Sequence, residues 1–312
     1  MKITMIGDQM VGKTTFMMST YGLMQGQNVT GFTLKCKDES AHNRLIQAYN
    51  HFRSTGEYPP PTVQMTEYEY VFYNKGEEIM EFSWVDIRGE SIHDYDQTEL
   101  SNQLADSQAM MLFLNGYDII NGADISEQMD DILILMNNTF LASDKPKLIM
   151  VVFTQCDRIP DFDGPEYDKL KESIAELEKL TDGSDSIGFA TVPIACSLDC
   201  MMDLDYVMAA LMVFGYALDA YGIQQHIEAR QAELREMYGS GFLRELVDTF
   251  GFDFKRNKVR AQALALQPVI DAYNDMVDKF EALKKFVDDY KLGTSYSIPK
   301  RYSSKNENPY EW

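Results

Sequence analysis

Gly7-Asp8-Gln9-Met10-Val11-Gly12-Lys13-Thr14 stands between a short apolar run, Ile3-Thr4-Met5-Ile6, and an amphipathic segment from Thr15 to Gln25. The run reads as a strand and the segment as a helix, so the eight residues occupy a strand-to-helix corner. Their pattern is G-x-x-x-x-G-K-T, the phosphate-binding loop, in the context that gives it meaning. The two glycines let backbone N–H groups turn inward as an anion nest at a helix N-terminus, where the dipole favours negative charge. Gly7, Asp8, Gln9, Met10, Val11, Gly12, Lys13, Thr14 and Thr15 are the expected cradle. Lys13 would reach the β- and γ-phosphates, and the Thr14 hydroxyl would hold Mg²⁺.

The 312 residues suffice for one large α/β domain with an appendage. Hydrophobic content of 45% and charged content of 25% are ordinary for a folded globular chain. The formal net charge of -21 argues against a general nucleic-acid binder, which needs a basic patch, and favours a solubility role for the acidic surface. Cys36, Cys156, Cys196 and Cys200 are scattered, and Cys196 and Cys200 lack C-x-x-C spacing, so reduced thiols in a cytoplasmic protein are expected. Met1-Lys2-Ile3 enters the first strand at once, leaving no room for a signal peptide. The most apolar run, Tyr206 to Leu218, is shorter than a membrane-spanning helix.

Downstream, Phe32 to Cys36 reads as a strand and Ser40 to Ser54 as a helix with Ser40 as N-cap and Leu45, Ile46, Tyr49 and Phe52 on one face. Thr55 to Thr62 carries Pro59-Pro60-Pro61, which donate no N–H, and must be a loop. Glu67 to Tyr73 and Ile79 to Val85 form a hairpin turning at Asn74-Lys75-Gly76. Its second strand delivers Asp86-Ile87-Arg88-Gly89. In an open α/β sheet ligands bind beyond the carboxyl ends of the strands, so Asp86 emerges on the side of the phosphate loop. There it can hold Mg²⁺, through a water, while the Gly89 amide meets the γ-phosphate.

A helix over Gln97 to Ala105, a strand over Ala109 to Leu114, a helix over Ile125 to Phe140 and a buried strand over Leu148 to Phe153 come next, the last ending in Thr154-Gln155-Cys156-Asp157. A helix over Tyr167 to Leu180 leads to a strand over Phe189 to Ala195, which ends in Cys196-Ser197-Leu198, and the helix Leu204 to Tyr221 closes the alternation. Alternating strands and helices argue a mainly parallel sheet covered on both faces. Beyond it, Ile223 to Tyr238 and Val269 to Tyr290 read as helices, the latter with Val269, Tyr273, Met276, Phe280, Leu283, Val287 and Tyr290 at heptad spacing. These helices either pair with each other or pack on the main domain, or else form a partner or dimer surface. Lys255, Arg256, Lys258 and Arg260 are a solvated cluster or a site for an anionic partner. The stretch from Leu292 to Trp312 reads as a flexible tail whose Tyr310 and Trp312 suit a docking segment. The expected organisation is a nucleotide-binding domain over 1–222, a helical extension over 223–291 and a tail over 292–312.

The phosphate loop, Asp86-Ile87-Arg88-Gly89, Thr154-Gln155-Cys156-Asp157 and Cys196-Ser197-Leu198 follow one another as the nucleotide motifs do in Ras-like, translation-factor-class GTPases, and residues 1 to 220 resemble that class. The insertions before the Pro-Pro-Thr loop also resemble the paired, or double, GTPases of bacterial defence and signalling gene neighbourhoods. The likeness implies that Asp157 accepts the guanine N1 and N2 donors, a donor pair that adenine lacks. Thr154 fits the family pattern, whereas Gln155 replaces the lysine whose aliphatic stem covers the base. Cys196-Ser197-Leu198 stands for Ser-Ala-Lys, where a backbone N–H, that of Ser197, meets the guanine oxygen.

The threonine that covers Mg²⁺ is expected at Thr62, with Thr66, Thr33 and Thr30 as competitors. Glu90 occupies the position of the water-orienting glutamine. Its carboxylate is repelled by the γ-phosphate, yet accepts a proton from water if its pKa is raised. Arg88 is a charge stabiliser or a surface ion-pair residue. The resemblance implies a regulatory GTPase that binds GTP and GDP with Mg²⁺, hydrolyses GTP slowly and is read by a protein effector through its switch loops or C-terminal helices. An ATP-using P-loop ATPase or kinase and a non-hydrolysing interaction module are the alternatives.

Overall fold

The computed structural model describes residues 1–25, 31–60, 65–87, 97–140, 147–160, 165–181, 187–202, 204–239 and 266–279. Strands β1 (Lys2–Ile6), β2 (Phe32–Cys36), β3 (Thr66–Asn74), β4 (Glu77–Asp86), β5 (Ala109–Asn115), β6 (Lys147–Thr154) and β7 (Ile187–Pro193) form one sheet in the order β2-β3-β4-β1-β5-β6-β7. From β4 across to β7 all neighbours are parallel, while β3 runs antiparallel to β4 and β2 antiparallel to β3. The fold is therefore α/β with a mixed, mostly parallel sheet. The β3–β4 hairpin turns at Lys75 and Gly76, whose φ values of 51° and 86° suit the twist of the strands it joins.

The central strands are buried on both sides, as parallel strands covered by helices must be. On one face Ile6, Met110, Leu112, Ile149 and Val151 meet Leu100 and Leu104 of α3 (Gln97–Asp106), Met129 and Ile132 of α5 (Ser126–Leu135), Leu170 of α6 (Pro165–Glu172) and Leu177 of α7 (Ala175–Thr181). On the other, Phe16 of α1 (Lys13–Leu23) packs edge-on to Trp84 at 5.5 Å and against Phe113 at 5.4 Å. Alternate residues of one strand thus serve opposite layers. Helix α2 (Glu39–Thr55) is capped by Asp38, whose carboxylate accepts from the Ala41 amide at 2.6 Å, so the cap lies two residues before the expected Ser40.

Other boundaries differ in informative ways. The expected helix 125–140 is α5 followed by a π-helical turn, Met136–Phe140. The expected helix 167–180 is split into α6 and α7, and at the break the Ser173 hydroxyl donates to the Leu170 carbonyl at 2.7 Å, competing with the backbone ladder. A short helix, α4 (Gly116–Ile120), follows β5 directly. Helix α8 runs unbroken over Leu204–Gly239, joining two segments that the sequence suggested as separate helices.

The boundary between two compact units falls inside α8, between Phe214 and Gly215. In the first unit, Val207 to Phe214 is buried on every side. The second has its own cluster, in which Ile227 of α8 meets Leu266, Ile270, Tyr273 and Val277 of a further helix, α9, over residues 266–279. Val269 and Met276 flank this stripe, so the buried line is turned by one residue from the expected seam, and Tyr273 is common to both. The expected seam residues beyond Met276, the 255–260 basic cluster and the tail lie outside the described residues. Among the described residues no helix is long and apolar enough to cross a membrane.

Candidate functional site

Strand β1 ends at Ile6 and α1 begins at Lys13, so the loop between them sits at the carboxyl edge of the sheet. Gly7, at φ 147°, lies so close to β5 that a Cβ there would come 2.5 Å from the Phe113 carbonyl oxygen. Gly12 caps α1 in the left-handed region at φ 98°. Both glycines of the motif are thus required, one by close approach and one by conformation. Met10 takes a left-handed φ of 63° without being glycine, and its side chain is 85% exposed at the loop tip.

Lys13 folds back into this loop, its Nζ donating to the carbonyls of Gly7 at 2.5 Å and Asp8 at 2.9 Å. Burial pulls its ammonium down to about 8, against the opposing fields of the Asp86 and Asp8 carboxylates. The ammonium is therefore held at the centre of the anion cradle. Asp86 ends β4 in parallel register beside Met5 of β1, which carries its carboxylate to the same corner. There Oδ2 accepts from the Thr14 hydroxyl at 3.0 Å, and Asp86 is 1% exposed.

These two hard oxygen donors fit the Mg²⁺ that the motif implies. Among the described residues no group of three His, Cys, Asp or Glu is placed to hold a metal, so a cation here would share its shell with phosphate oxygens and water. Of the switch-threonine candidates, Thr66 pairs directly across from Asp86, and Thr33 lies in β2 opposite Tyr73. Thr62, Thr30, Arg88, Gly89 and Glu90 lie outside the described residues.

The far end of the site is built by β6 and by the chain after β7. Thr154 donates from its hydroxyl to the Leu114 carbonyl at 3.2 Å, tying β6 to β5. Gln155 then takes a left-handed φ of 58° and starts the 3-10 turn Cys156–Arg158, which leaves Asp157 exposed. Cys156 points inward, and burial pushes its thiol up to about 12, so it is packing and not chemistry. After β7, Ala195–Cys196 (β8) pairs with Met201–Met202 (β9), and the turn between them closes with the Ser197 amide donating to the Cys200 carbonyl at 2.9 Å. That amide, expected on a guanine oxygen, is already used by the hairpin. Leu198 faces α2: its carbonyl accepts from Arg53 at 3.2 Å and its side chain closes on Gly56.

Two cavities of about 580 Å³ each flank the loop. One is walled by the phosphate loop with α4 and α5 and carries Asp8, Asp118, Asp124, Glu127 and Asp131, a lining that repels an anion. The other is lined by Gln9 to Thr15, Lys13 and Thr14 among them, and by Thr154, Gln155, Asp157, Ile194, Cys196 and Ser197. Equal in volume, the two are separated by charge, and only the second suits a phosphorylated ligand. It brings together Gln9 to Thr15 with Thr154, Gln155, Asp157 and Ser197, and leaves Leu198 aside.

No motif assigns Tyr58, Pro59, Pro60 or Arg158 to a site, yet all four also line this cavity. The prolines mark Thr55 to Thr62 as a loop, and the aromatic residue just before them, Tyr58, is the sequence signal for this wall. Gln128, which donates to the Asp8 carboxylate at 3.0 Å, is likewise invisible to a motif because it comes from a helix 120 residues away.

The sheet order, the strand-to-helix loop and the lysine within it define a P-loop nucleotide-binding fold. The family described as Double-GTPase 2 matches residues 2–192, and the chain belongs to that family. Among solved structures it is similar to the Roco2 RocCORdC of Methanosarcina barkeri bound to GDP, with 14% identity and a TM-score of 0.36 over 67% of this chain and 47% of that one. It is also similar to the Saccharomyces cerevisiae Ski7 GTPase-like domain bound to GDP and inorganic phosphate, with 15% identity and a TM-score of 0.39 over 63% and 43%. The chain spans less than half the length of either. Curated proteins offer no match.

Proposed function

We propose that this chain is a regulatory GTPase: it binds GTP and GDP with Mg²⁺ and turns GTP over slowly. The observation that carries this reading is that Lys13 and Asp157 line one cavity, a cation for phosphates at one end and a carboxylate for a base at the other. A carboxylate pairs with the two N–H donors of guanine and finds no such pair on adenine. Lys13 neutralises the β- and γ-phosphates while backbone amides of the loop orient them. Thr14, Asp86 and Thr62 would hold Mg²⁺, which when bound supplies charge neutralisation between the phosphates.

Slow turnover follows from the residues after Asp86. No glutamine follows Asp86-Ile87-Arg88-Gly89 to orient the attacking water, and Glu90 in its place is repelled by the γ-phosphate, leaving Arg88 to stabilise developing charge. A protein reading the bound state through the switch loops or the C-terminal helices completes the switch.

The test is calorimetric titration of nucleotide-free protein with GDP, a GTP analogue and ATP in Mg²⁺, repeated on Asp157→Asn. Guanine binding should be tight in the parent chain and weakened at least tenfold by the substitution, with ATP far weaker. Equal ATP binding untouched by Asp157→Asn would instead assign an ATP-using enzyme. Rapid GTP hydrolysis by the purified chain alone would overturn the role given to Glu90, and no hydrolysis under any condition would favour a binding module.

A further inference from the structure

The cavity beside Lys13 contains an exposed aromatic ring that nothing in the motifs explains. Tyr58 is 59% exposed, yet its position is fixed from behind, with its ring tilted on that of the fully buried Phe52 at a centroid distance of 5.1 Å. The chain reaches it from the C-terminus of α2, where Gly56 takes a left-handed φ of 79° and donates its N–H to the Phe52 carbonyl at 2.8 Å. Pro59 and Pro60 follow and stiffen the exit. Arg53 and Gly56 are in turn fastened to Leu198, so the end of α2 and the turn after β8 form one edge of the cavity. Tyr58 is held as part of a wall.

A second planar surface comes from the turn after β6. Arg158 donates from Nη1 to the Gln155 side-chain oxygen at 2.5 Å, and its guanidinium lies 3.9 Å from the centroid of the Tyr117 ring. Tyr117 is delivered by α4, which Asn115 caps and whose Gly116 packs closely against the Thr154 carbonyl and the Cys156 sulfur. Tyr58 and this turn also feel each other. Burial raises the Tyr58 hydroxyl above its ordinary value, with the Asp157 carboxylate adding to the rise and Arg158 opposing it. The ring is thus in the field of the residue assigned to the base edge.

We propose that Tyr58 and the Gln155–Arg158 pair are the base-holding surfaces of this site, replacing the lysine stem that Gln155 displaces. The inference rests on the reading of this cavity as a nucleotide site. A base offers a π-face to any flat partner, so stacking on a tyrosine ring and on a guanidinium is tolerant of base identity, while Asp157 reads the edge. Tyr58 and Arg158 set affinity, and Asp157 sets choice.

The test uses the full chain and titrates GDP, ADP and inorganic pyrophosphate into the parent and into Tyr58→Ala, Tyr58→Phe and Arg158→Ala, with a melting curve for each variant. Tyr58→Ala should weaken GDP roughly ten- to hundredfold and leave pyrophosphate within about twofold of the parent, since only the base is lost. Tyr58→Phe should keep parental GDP affinity, and Arg158→Ala should weaken GDP with pyrophosphate unchanged. Parental GDP binding by Tyr58→Ala, or an equal loss of GDP and pyrophosphate, overturns the proposal. If ADP binds as well as GDP and Tyr58→Ala weakens both, the guanine assignment fails while the stacking wall stands. Binding of neither nucleotide by the parent chain overturns both.

Discussion

Lys13 shows how one side chain can be stored in a state that its ligand reverses. In the loop the ammonium is buried and bonded to two carbonyls, and it titrates near 8, against an ordinary 10.5. Between those values the unfolded chain binds more protons than the folded one, so this residue makes stability rise with pH across the window. An anion seated over the ammonium restores its affinity for a proton. Nucleotide binding above pH 8 should therefore take up a proton, and apparent affinity should fall as pH rises through 8, by up to about tenfold per unit. Calorimetry of GDP at pH 8 in two buffers of different ionisation heat measures the uptake, because there phosphate groups with a second pKa near 6 are already ionised while the guanine N1–H is still in place. Zero uptake would mean that the lysine keeps its charge in the empty loop.

At the scale of elements, the part of the site that was legible in the sequence is the part that lies on consecutive residues. Gly7 to Thr14 announces itself because strand, loop and helix follow one another, and Asp86 because the alternation of Tyr68, Tyr70 and Phe72 marks the hairpin whose end it occupies. Tyr58, Arg158 and Gln128 were not legible, since their roles come from how α2, the turn after β6 and α5 converge, which no spacing encodes. The hairpin bond of the Ser197 amide was not legible for a related reason: the β8–β9 hairpin that uses it joins strands too short to leave a periodic trace.

The same limit applied in the second unit. Heptad spacing found α9 and Tyr273 but set the stripe one residue off, because it could not know that Ile227 would be the partner. That cluster makes its own prediction. Ile270 is fully buried in it. Ile270→Ala should destabilise the α8–α9 pairing by about 2–5 kcal/mol and lower the temperature at which its helicity melts. GDP affinity measured on the same sample below that melt should stay at the parental value. A parallel loss of GDP binding would show that the helical pairing and the site are energetically coupled.

The whole molecule carries a formal charge of -21, and the expected ligand is itself a polyanion. Near the cavity the positive charges of Lys13 and Arg158 stand among Asp8, Asp86 and Asp157, and the carboxylate-lined cavity also flanks the loop. At low salt the field a diffusing nucleotide meets first is the summed negative one, since the screening length is then longer than the site is wide. Raising ionic strength from about 20 to 200 mM shortens that length to roughly 7 Å, removing the long-range repulsion while leaving the contacts of Lys13 in place. The association rate of a fluorescent GDP, followed by stopped flow at fixed Mg²⁺, should therefore rise severalfold with salt while dissociation changes little. A falling association rate would mean that the lysine and the α1 N-terminus dominate the approach path despite the charge of the body. The same net charge sets what the surface can recruit: a partner that reads the bound state would meet an acidic molecule, and its complementary face would be basic.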